Sequence, residues 1–445
     1  MTIHATSISG TSAQSGKSTP PTWAYLVGLF FLLVIVDGAL RKWVLPSQEQ
    51  LLFLLKDVVL WGGYIGYAFK RDPLGLPRPL YRTWVPVLFG LYIALVLLQA
   101  FNPRQPNVFI SFLGLKTHLA YLPVVVLLPA IFVQVTDRQV IRFLWGYALL
   151  ICVPIIVLSI YQYTQPRTAW INRYVNPEAI VAKVGDAPRV TGPFPYIGSF
   201  APYLQFNAVL GASIALAGMK WARRNLKILG GIIFGGTAIV LPMTGSRSPV
   251  VLIAGGMAVL FLAMRAKGYW IRFFAIVLVG FFVASGVSGD SILFQGWEAL
   301  AERTQTADPA AERISSRLMG PIQGIDEGGL LGYGVGSNHQ VASQFVSSRT
   351  GVVQGGDNKI FRVFVELGAL GWLVLEALKV ALLYVSAQAV RRSRSAVEFI
   401  ISATALCVLV GNLLIPVVYN VVMGALYWGS AGAMLGVWSL QKARR

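Results

Sequence analysis

Long apolar runs recur along the whole chain, and short charged stretches separate them. Each run has about 18 residues or more, which is enough for a helix to cross roughly 30 Å of hydrocarbon. Lipid offers backbone groups no hydrogen-bond partners, so runs of this length must be helical. The pattern predicts an all-α polytopic transmembrane bundle of about twelve spans, at 23–40, 51–69, 83–101, 117–134, 140–161, 198–219, 227–243, 248–265, 271–288, 360–384, 397–416 and 420–438.

The composition agrees with this fold class. Of the 445 residues, 56% are hydrophobic and 12% are charged, whereas a soluble domain is about 25% charged. A net charge of +19 suggests nucleic-acid binding at first sight, but most of it sits in short loops between spans. There it orients a membrane protein, so no nucleic-acid partner is expected. Cys152 and Cys407 both fall within spans, which favours small core residues over a disulfide.

Basic residues also predict the orientation of the chain. Lysine and arginine are concentrated in the loops that follow even-numbered spans, which marks those loops and both termini as cytoplasmic. The predicted organisation is a disordered cytoplasmic tail, nine spans with an outer segment at 162–197, a large periplasmic loop, and three spans with a cytoplasmic tail. These parts correspond to residues 1–21, 22–288, 289–359 and 360–445.

The two outward-facing segments carry arginines that the topology does not require. The segment 162–197 includes Arg189, and the large loop includes Arg313 and Arg317, which at a spacing of four would share one face of a short helix. Like charges at that spacing repel unless an anion neutralises them, and guanidinium binds phosphate through paired hydrogen bonds. A phosphate-bearing substrate is one explanation, and surface ion pairs with nearby glutamates are the other.

Arg247 lies in the sequence MTGSRSPVV, in a very short outer connection between two spans. Its guanidinium must therefore sit at or just below the membrane interface. An arginine placed deeper costs about 2.5–3.5 kcal/mol and needs an anionic partner or water. The interpretations are a substrate-phosphate contact or a side chain that snorkels to lipid headgroups.

The end of the large loop combines glycines with candidate acid–base residues. LLGYGVGSNHQ, at 330–340, allows tight turns and close backbone approach, and His339 is either a general base or a surface residue. Asp357 and Asn358 stand where the chain re-enters the membrane. Asp357 is either a helix N-cap or a carboxylate that accepts a proton from a sugar hydroxyl. Glu366 follows inside the span, where an acid must be functional or paired.

In these motifs the chain resembles the O-antigen ligase and O-antigen polymerase superfamily of bacterial envelope proteins. The matching pieces are GSR at 245–247, an arginine early in the large outer loop, LLGYGVGS at 330–337 and DNKIFRVFVELGALG at 357–371. In that family a dipeptide followed nine residues later by GxxG closes the loop, and Asn358 precedes Gly368 and Gly371 with that spacing. The ligases begin the dipeptide with histidine; this chain has Asp357, which suits a polymerase-like member at least as well.

The resemblance implies a metal-independent glycosyltransferase of the GT-C type in the bacterial inner membrane. Such an enzyme moves a glycan from undecaprenyl diphosphate to a hydroxyl of a glycan or lipid acceptor. By position, Arg247 and Arg313 would bind the diphosphate of the donor. The remaining candidates are Arg189, Arg317 and Asn358 for substrate binding, and Asp357 and His339 as the base.

The sequence gives no reason to propose a metal or another cofactor, because the outer loops hold no DxD motif and no cluster of ligands with metal spacing. The alternative function is a transporter or flippase of polysaccharide precursors, and a receptor or scaffold is a third class. Lys56 and Asp57, adjacent in the second span, are the feature that most favours transport. Since they lie on neighbouring helix faces, each is expected to pair with another span.

Overall fold

The computed structural model describes residues 21–69, 78–105, 107–176, 178–264, 268, 296–298, 319, 321–338 and 359–444. The helices are α1 Thr22–Ala39, α2 Glu49–Ala68, α3 Val85–Ala100, α4 Val108–Leu119, α5 Pro123–Phe132, α6 Asp137–Tyr147, α7 Val153–Thr164, α8 Ile197–Lys220, α9 Arg224–Met243, α10 Ser248–Met264, α11 Lys359–Arg392, α12 Ala396–Gly411 and α13 Val421–Ala443. A small antiparallel pair, β1 Lys183–Val184 and β2 Ala187–Pro188, lies in the segment between α7 and α8.

The architecture is an all-α bundle. Within the described residues, eight helical units are long and apolar enough to cross a membrane, and α3, α10 and α12 are shorter apolar helices. These eleven units coincide with eleven of the predicted spans, and the ninth, 271–288, lies outside the described residues. Residues 1–20 and most of the large loop 289–359 lie outside them as well.

Helix boundaries differ from the sequence prediction where local chemistry intervenes. The predicted span 117–134 is two helices, α4 and α5. Asn107 caps α4, which begins nine residues before the predicted start, and Pro123 starts α5. A π-helical turn, Ala148–Cys152, joins α6 to α7. The helix α11 continues to Arg392 and contains a non-helical residue, Gly368, with φ of 69°.

The centre of the bundle is built on close contact between α8 and α9. A Cβ added at Gly211 would stand 2.6 Å from the backbone nitrogen of Phe234, and one added at Gly230 would collide with Ala215. Glycine at these two positions therefore lets the helices approach more closely than side chains would permit. Cys152 and Cys407 are buried and unbonded, as predicted.

The outer surfaces of α2, α3 and α7 are apolar. Leu51, Val58 and Ile65 on α2 and Leu98 on α3 are exposed, as is Val157 on α7. Contiguous apolar surface of this kind is unusual on a soluble monomer and suits contact with lipid. The exposed faces therefore agree with the apolar lengths of the helices.

Hydrogen bonds between distant segments define the two ends of the bundle. At one end, the connection 244–247 between α9 and α10 meets the segment before α8, and that segment meets the end of α1. We call this the Arg247 end. At the other end, the last turns of α10, α11 and α13 meet the first turn of α12, and we call this the Arg392 end.

Candidate functional site

Arg189 is held against the turn that carries Arg247. Its Nε donates to the carbonyl of Thr244 at 2.6 Å and its Nη2 donates to Ser246 Oγ at 3.2 Å. The next residue, Val190, donates its backbone N–H to the carbonyl of Met243 at 3.2 Å. Two arginines that lie 58 positions apart in the sequence are thus brought to one turn at the end of α9.

Arg247 itself is half-buried, directly after a turn in which Gly245 has φ of 60°. Its Nη2 is buried and has no hydrogen-bond partner among the residues that the structure describes. A buried donor without a partner costs about 1–3 kcal/mol, and more when the group is charged. This nitrogen is therefore available to an anion.

Lys42, which the sequence reasoning did not single out, lies in the same region. It is 1% exposed, and its Nζ donates to Thr191 Oγ1 at 3.0 Å and to the carbonyl of Gly192 at 2.8 Å. Gln162 fixes Gly192 from the other side, with its Oε1 accepting from the Gly192 N–H at 2.8 Å. Lys42 could have been recognised from its position, because it is a lysine at the predicted outer end of the first span, where the topology requires no cation.

Arg173 adds a fourth cation. Its guanidinium lies 5.5 Å from the ring centre of Trp170, which packs against Trp43, and it is close enough to repel the charge of Lys42. Its Nε is buried without a hydrogen-bond partner in the described part of the chain. We call Lys42, Arg173, Arg189 and Arg247 the basic cluster.

The basic cluster has an excess of positive charge. Among the described residues, no carboxylate forms an ion pair with Lys42, Arg173 or Arg247. Cations that share a region and lack carboxylates attract an anion, and arginine pairs well with phosphate oxygens.

A second polar network surrounds Glu366, which is fully buried. Its Oε2 lies 2.8 Å from His118 Nε2 and accepts from the Tyr419 hydroxyl at 3.2 Å. Its Oε1 accepts from Arg362 Nε at 3.2 Å. The sequence predicted that this acid would be functional or paired, and it is paired. We call Glu366, His118, Tyr92, Tyr419 and Arg362 the Glu366 network.

Donor and acceptor roles in the Glu366 network follow from the ionised carboxylate, which can only accept. His118 Nε2 therefore carries a proton, and in the neutral ring Nδ1 accepts from the Tyr92 hydroxyl, 2.8 Å away. Burial raises the pKa of Tyr419, and the Glu366 carboxylate raises it further, so the phenol stays protonated and donates. The Arg362 guanidinium lies 4.2 Å from the centre of the Tyr419 ring, a cation–π contact.

The glycine-rich loop holds the broken part of α11. The N–H groups of Tyr333 and Gly334 donate to the carbonyls of Val365 and Glu366 at 2.8 and 3.2 Å. In return, the loop carbonyls of residues 329 and 330 accept from the N–H groups of residues 369 and 370 at 3.0 and 3.2 Å. The loop thus replaces the helical hydrogen bonds lost around Gly368, which satisfies the backbone.

Close backbone approach explains the alternating glycines. Gly332 has φ of 76°, and a Cβ there would stand 2.6 Å from the Gly368 nitrogen. A Cβ at Gly336 would collide with the carbonyl of Ile110 on α4. The prediction that these glycines serve tight turns and close contact is confirmed.

The two clusters lie at the same end of the bundle. Asn420, which follows Tyr419, donates its side-chain N–H to the carbonyl of Gly198 at 2.8 Å. Gly198 is in the first turn of α8, and the residues just before this helix lie against Gly38 of α1. The Glu366 network and the basic cluster are therefore linked through the start of α8.

Lys56 and Asp57 pair with other helices, as predicted. Lys56 Nζ lies 3.9 Å from Asp37 on α1, and Asp57 pairs with Lys116 on α4 at 3.0 Å. Lys56 and Lys116 also lie 4.1 and 3.8 Å from the ring centre of Phe53. Asp37 also pairs with Arg41, the residue before Lys42, at 3.3 Å.

The remaining predicted site residues lie outside the described residues: Arg313, Arg317, His339, Asp357 and Asn358. The structure thus brings Arg189 and Arg247 together and leaves the proposed base and the loop arginines as predictions. Asn338, the residue before His339, ends the described part of the glycine-rich loop, and Lys359, the residue after Asn358, begins α11.

Within the described residues, no group of three or more His, Cys, Asp and Glu side chains is arranged to hold a metal ion. A scan against protein-family models gives no match for this chain, and a search of curated proteins gives none.

Proposed function

We propose that this protein is a membrane glycosyltransferase that transfers or polymerises oligosaccharide carried on undecaprenyl diphosphate. The observation that carries the proposal is the basic cluster at the Arg247 end, with buried guanidinium nitrogens of Arg173 and Arg247 that lack partners among the described residues. A diphosphate supplies the negative charge and the acceptor oxygens that these groups lack. The resemblance of the GSR, LLGYGVGS and DNKIFRVFVELGALG motifs to O-antigen ligases and polymerases supports the same substrate.

In the proposed reaction, a hydroxyl oxygen of the acceptor attacks the anomeric carbon of the donor glycan. The bond from that carbon to the diphosphate oxygen breaks, and the electron pair leaves with the undecaprenyl diphosphate. Arginines of the basic cluster stabilise the charge that develops on this leaving group. The proton of the acceptor hydroxyl passes to a base, for which Asp357 is the first candidate and His339 the second.

The Glu366 network supports the proposed proton transfer by fixing the start of α11. Asp357 and Asn358 immediately precede Lys359, the first residue of α11. Glu366 fixes the first two turns of α11 through His118 on α4 and Tyr419 before α13, and it also pairs with Arg362 within α11. A helix start that is held by two other segments provides the fixed geometry that proton transfer by an adjacent residue requires.

The proposed setting is the periplasmic face of a bacterial inner membrane, with about twelve spans, a GT-C-like bundle and both termini in the cytoplasm. The concentration of arginine and lysine at the Arg392 end supports this orientation, because cytoplasmic ends are basic. Arg313 and Arg317 are proposed to complete the diphosphate site from the large outer loop. The acceptor is a second lipid-linked glycan or another membrane lipid.

A transporter or flippase of polysaccharide precursors is the second candidate. The buried charges of Asp37, Lys56, Asp57 and Lys116 favour it, since charges inside a span often mark an ion or proton path. In the glycosyltransferase these same ion pairs hold α1, α2 and α4 together. Formation of a new glycosidic bond distinguishes a glycosyltransferase from a transporter.

The test uses purified protein in liposomes with lipid-linked oligosaccharide and no added nucleotide or metal. A glycosyltransferase lengthens or transfers the glycan, whereas a transporter moves it without forming a bond. Arg189→Ala and Arg247→Ala are expected to reduce transfer by at least about a hundredfold, as removal of a group that stabilises developing charge does.

Arg138→Ala is the matched control, because Arg138 is exposed in the first turn of α6. Near-native turnover in both Arg189→Ala and Arg247→Ala would exclude the proposed diphosphate site. Loss of activity on chelation would show that a metal, and not the arginines, stabilises the leaving group.

A further inference from the structure

The Arg392 end contains a cationic cavity, which the proposed reaction does not use. The end of α11, the connection that follows it and the end of α13 surround a volume of about 310 Å³ lined by Arg391, Arg392, Ser393, Arg394, Gln441 and Arg444. Ligand sites span roughly 300–1,000 Å³ and are mostly apolar. The volume of this cavity is at the lower limit of that range, and every residue that lines it is polar or charged. It therefore suits a small charged group.

One carboxylate lies beside the cavity, and its hydrogen-bonding capacity is already used. Glu398 is buried, and its Oε1 accepts from Arg444 Nη1. Its Oε2 accepts from the backbone N–H of Arg394 at 3.0 Å and from Gln441 Nε2 at 3.3 Å. Glu398 thus neutralises one of the four arginines.

The other three arginines lack a carboxylate partner in the described part of the chain. Arg391 donates its Nε to the carbonyl of Ala263 at 3.3 Å, which is a neutral acceptor at the end of α10. Arg392 Nη1 is buried with no hydrogen-bond partner among the described residues. The cavity therefore combines an excess of positive charge with an unused, desolvated donor.

The orientation of the protein in the membrane accounts for arginines at this end, of which Arg391, Arg394 and Arg444 are exposed, but not for the buried Nη1 of Arg392. A cation that only sets topology needs to be in a short loop, where water solvates it. Arg224, at the start of α9 and also at the Arg392 end, is exposed in this manner. Burial of Arg392 Nη1 without a partner costs free energy, which a bound anion would recover.

We propose that this cavity binds a phosphate group, either in the headgroup of an anionic lipid or as free phosphate. Guanidinium groups from the end of α11 and from the connection to α12 would bind the phosphate oxygens through charge-assisted hydrogen bonds. Arg391 and Arg392 form the last turn of an apolar unit long enough to cross a membrane, so in this proposal they lie at the level of the lipid headgroups. Basic pockets between spans on the cytoplasmic side are typical sites for anionic headgroups.

This site is distinct from the basic cluster. The 17 residues of α10 connect the turn of Arg247 to the end at which Ala263 accepts from Arg391. A helix of that length covers about 25 Å at 1.5 Å per residue. Anion binding at the Arg392 end can therefore be tested independently of the proposed glycosyltransferase activity.

The test measures the unfolding temperature of the full-length protein in a neutral detergent. The added probes are phosphatidylglycerol, phosphatidylcholine and inorganic phosphate. A ligand that binds the folded protein raises the unfolding temperature with increasing concentration. Phosphatidylglycerol is expected to do so, and Arg392→Gln is expected to weaken its apparent affinity by about tenfold or more, the effect of losing a charged hydrogen bond.

Arg224→Gln is the matched control, since it removes the same charge at the same end outside the cavity. Arg444→Gln is the second variant in case Arg392→Gln does not fold, because the Arg444 side chain is 51% exposed. A response to phosphatidylglycerol alone that Arg392→Gln or Arg444→Gln weakens supports a lipid headgroup. An equal response to inorganic phosphate with the same loss supports the site with a free anion as the ligand. The proposal would be overturned if added anion raised the unfolding temperatures of Arg392→Gln and Arg444→Gln as much as that of Arg224→Gln. It would also be overturned if neither anion raised the unfolding temperature of the parent protein.

Discussion

Replacement of Glu366 by glutamine tests the contribution of the Glu366 network, because it keeps the shape of the side chain and removes its charge. The carboxylate receives hydrogen bonds from His118, Tyr419 and Arg362 at 2.8, 3.2 and 3.2 Å. A hydrogen bond to a charged group contributes about 1.5–3 kcal/mol to stability, and a neutral one about 0.5–1.5 kcal/mol. Each contact is thus expected to lose about 1 kcal/mol, which predicts a total near 3 kcal/mol for Glu366→Gln.

Thermal unfolding of the purified protein in detergent measures this loss, and Glu366→Gln is expected to unfold several degrees below the parent. Glu49→Gln is the control, because the Glu49 carboxylate is 44% exposed in its pair with Arg41 and exposed pairs contribute about 0–1 kcal/mol. A double-mutant cycle with His118→Gln is expected to give a coupling energy of about 0.5–3 kcal/mol. Equal unfolding temperatures for Glu366→Gln and Glu49→Gln, together with no coupling to His118, would refute the reasoning.

Two further predictions concern the glycine-rich loop and the basic cluster. Gly332→Ala is expected to destabilise the protein by about 1–3 kcal/mol, because φ is positive and the new Cβ would stand 2.6 Å from Gly368 N. Gly255→Ala is the control, since the space around Gly255 is open. Equal unfolding temperatures for the two variants would contradict the close approach of Gly332 to Gly368. Lys42→Met is expected to reduce glycan transfer in liposomes by about tenfold through loss of its bonds to the segment before α8. Lys183→Met, at an exposed position, should keep full activity, and equal rates in the two variants would show that Lys42 does not support the site.

Local sequence patterns were sufficient to predict most helices. Apolar length alone placed eleven helical units of the described residues near their observed positions. The errors are at boundaries, where a cap such as Asn107 or a helix-starting proline such as Pro123 changes the limits. The break in α11 was not predicted, because a glycine within an apolar run is also compatible with a continuous helix.

The partners in the candidate site could not be predicted, because they depend on which helices pack together. His118 and Glu366 are 248 positions apart, and Lys42 and Thr191 are 149 apart. Sequence reasoning recognised Glu366 as an acid that needed a partner, from the cost of a charge in a span. It did not identify His118, since a single histidine in an apolar stretch carries no information about its neighbours.

The hydrogen bonds between the glycine-rich loop and α11 have a mechanical consequence. Four backbone bonds join residues 329–334 to residues 365–370, and Gly332, Gly334, Val365 and Glu366 at this contact are buried. Separation of the two backbone segments would leave buried donors and acceptors unsatisfied, at a cost of about 1–3 kcal/mol for each group. Residues 329–334 and the part of α11 around residues 365–370 are therefore expected to move together as one rigid unit.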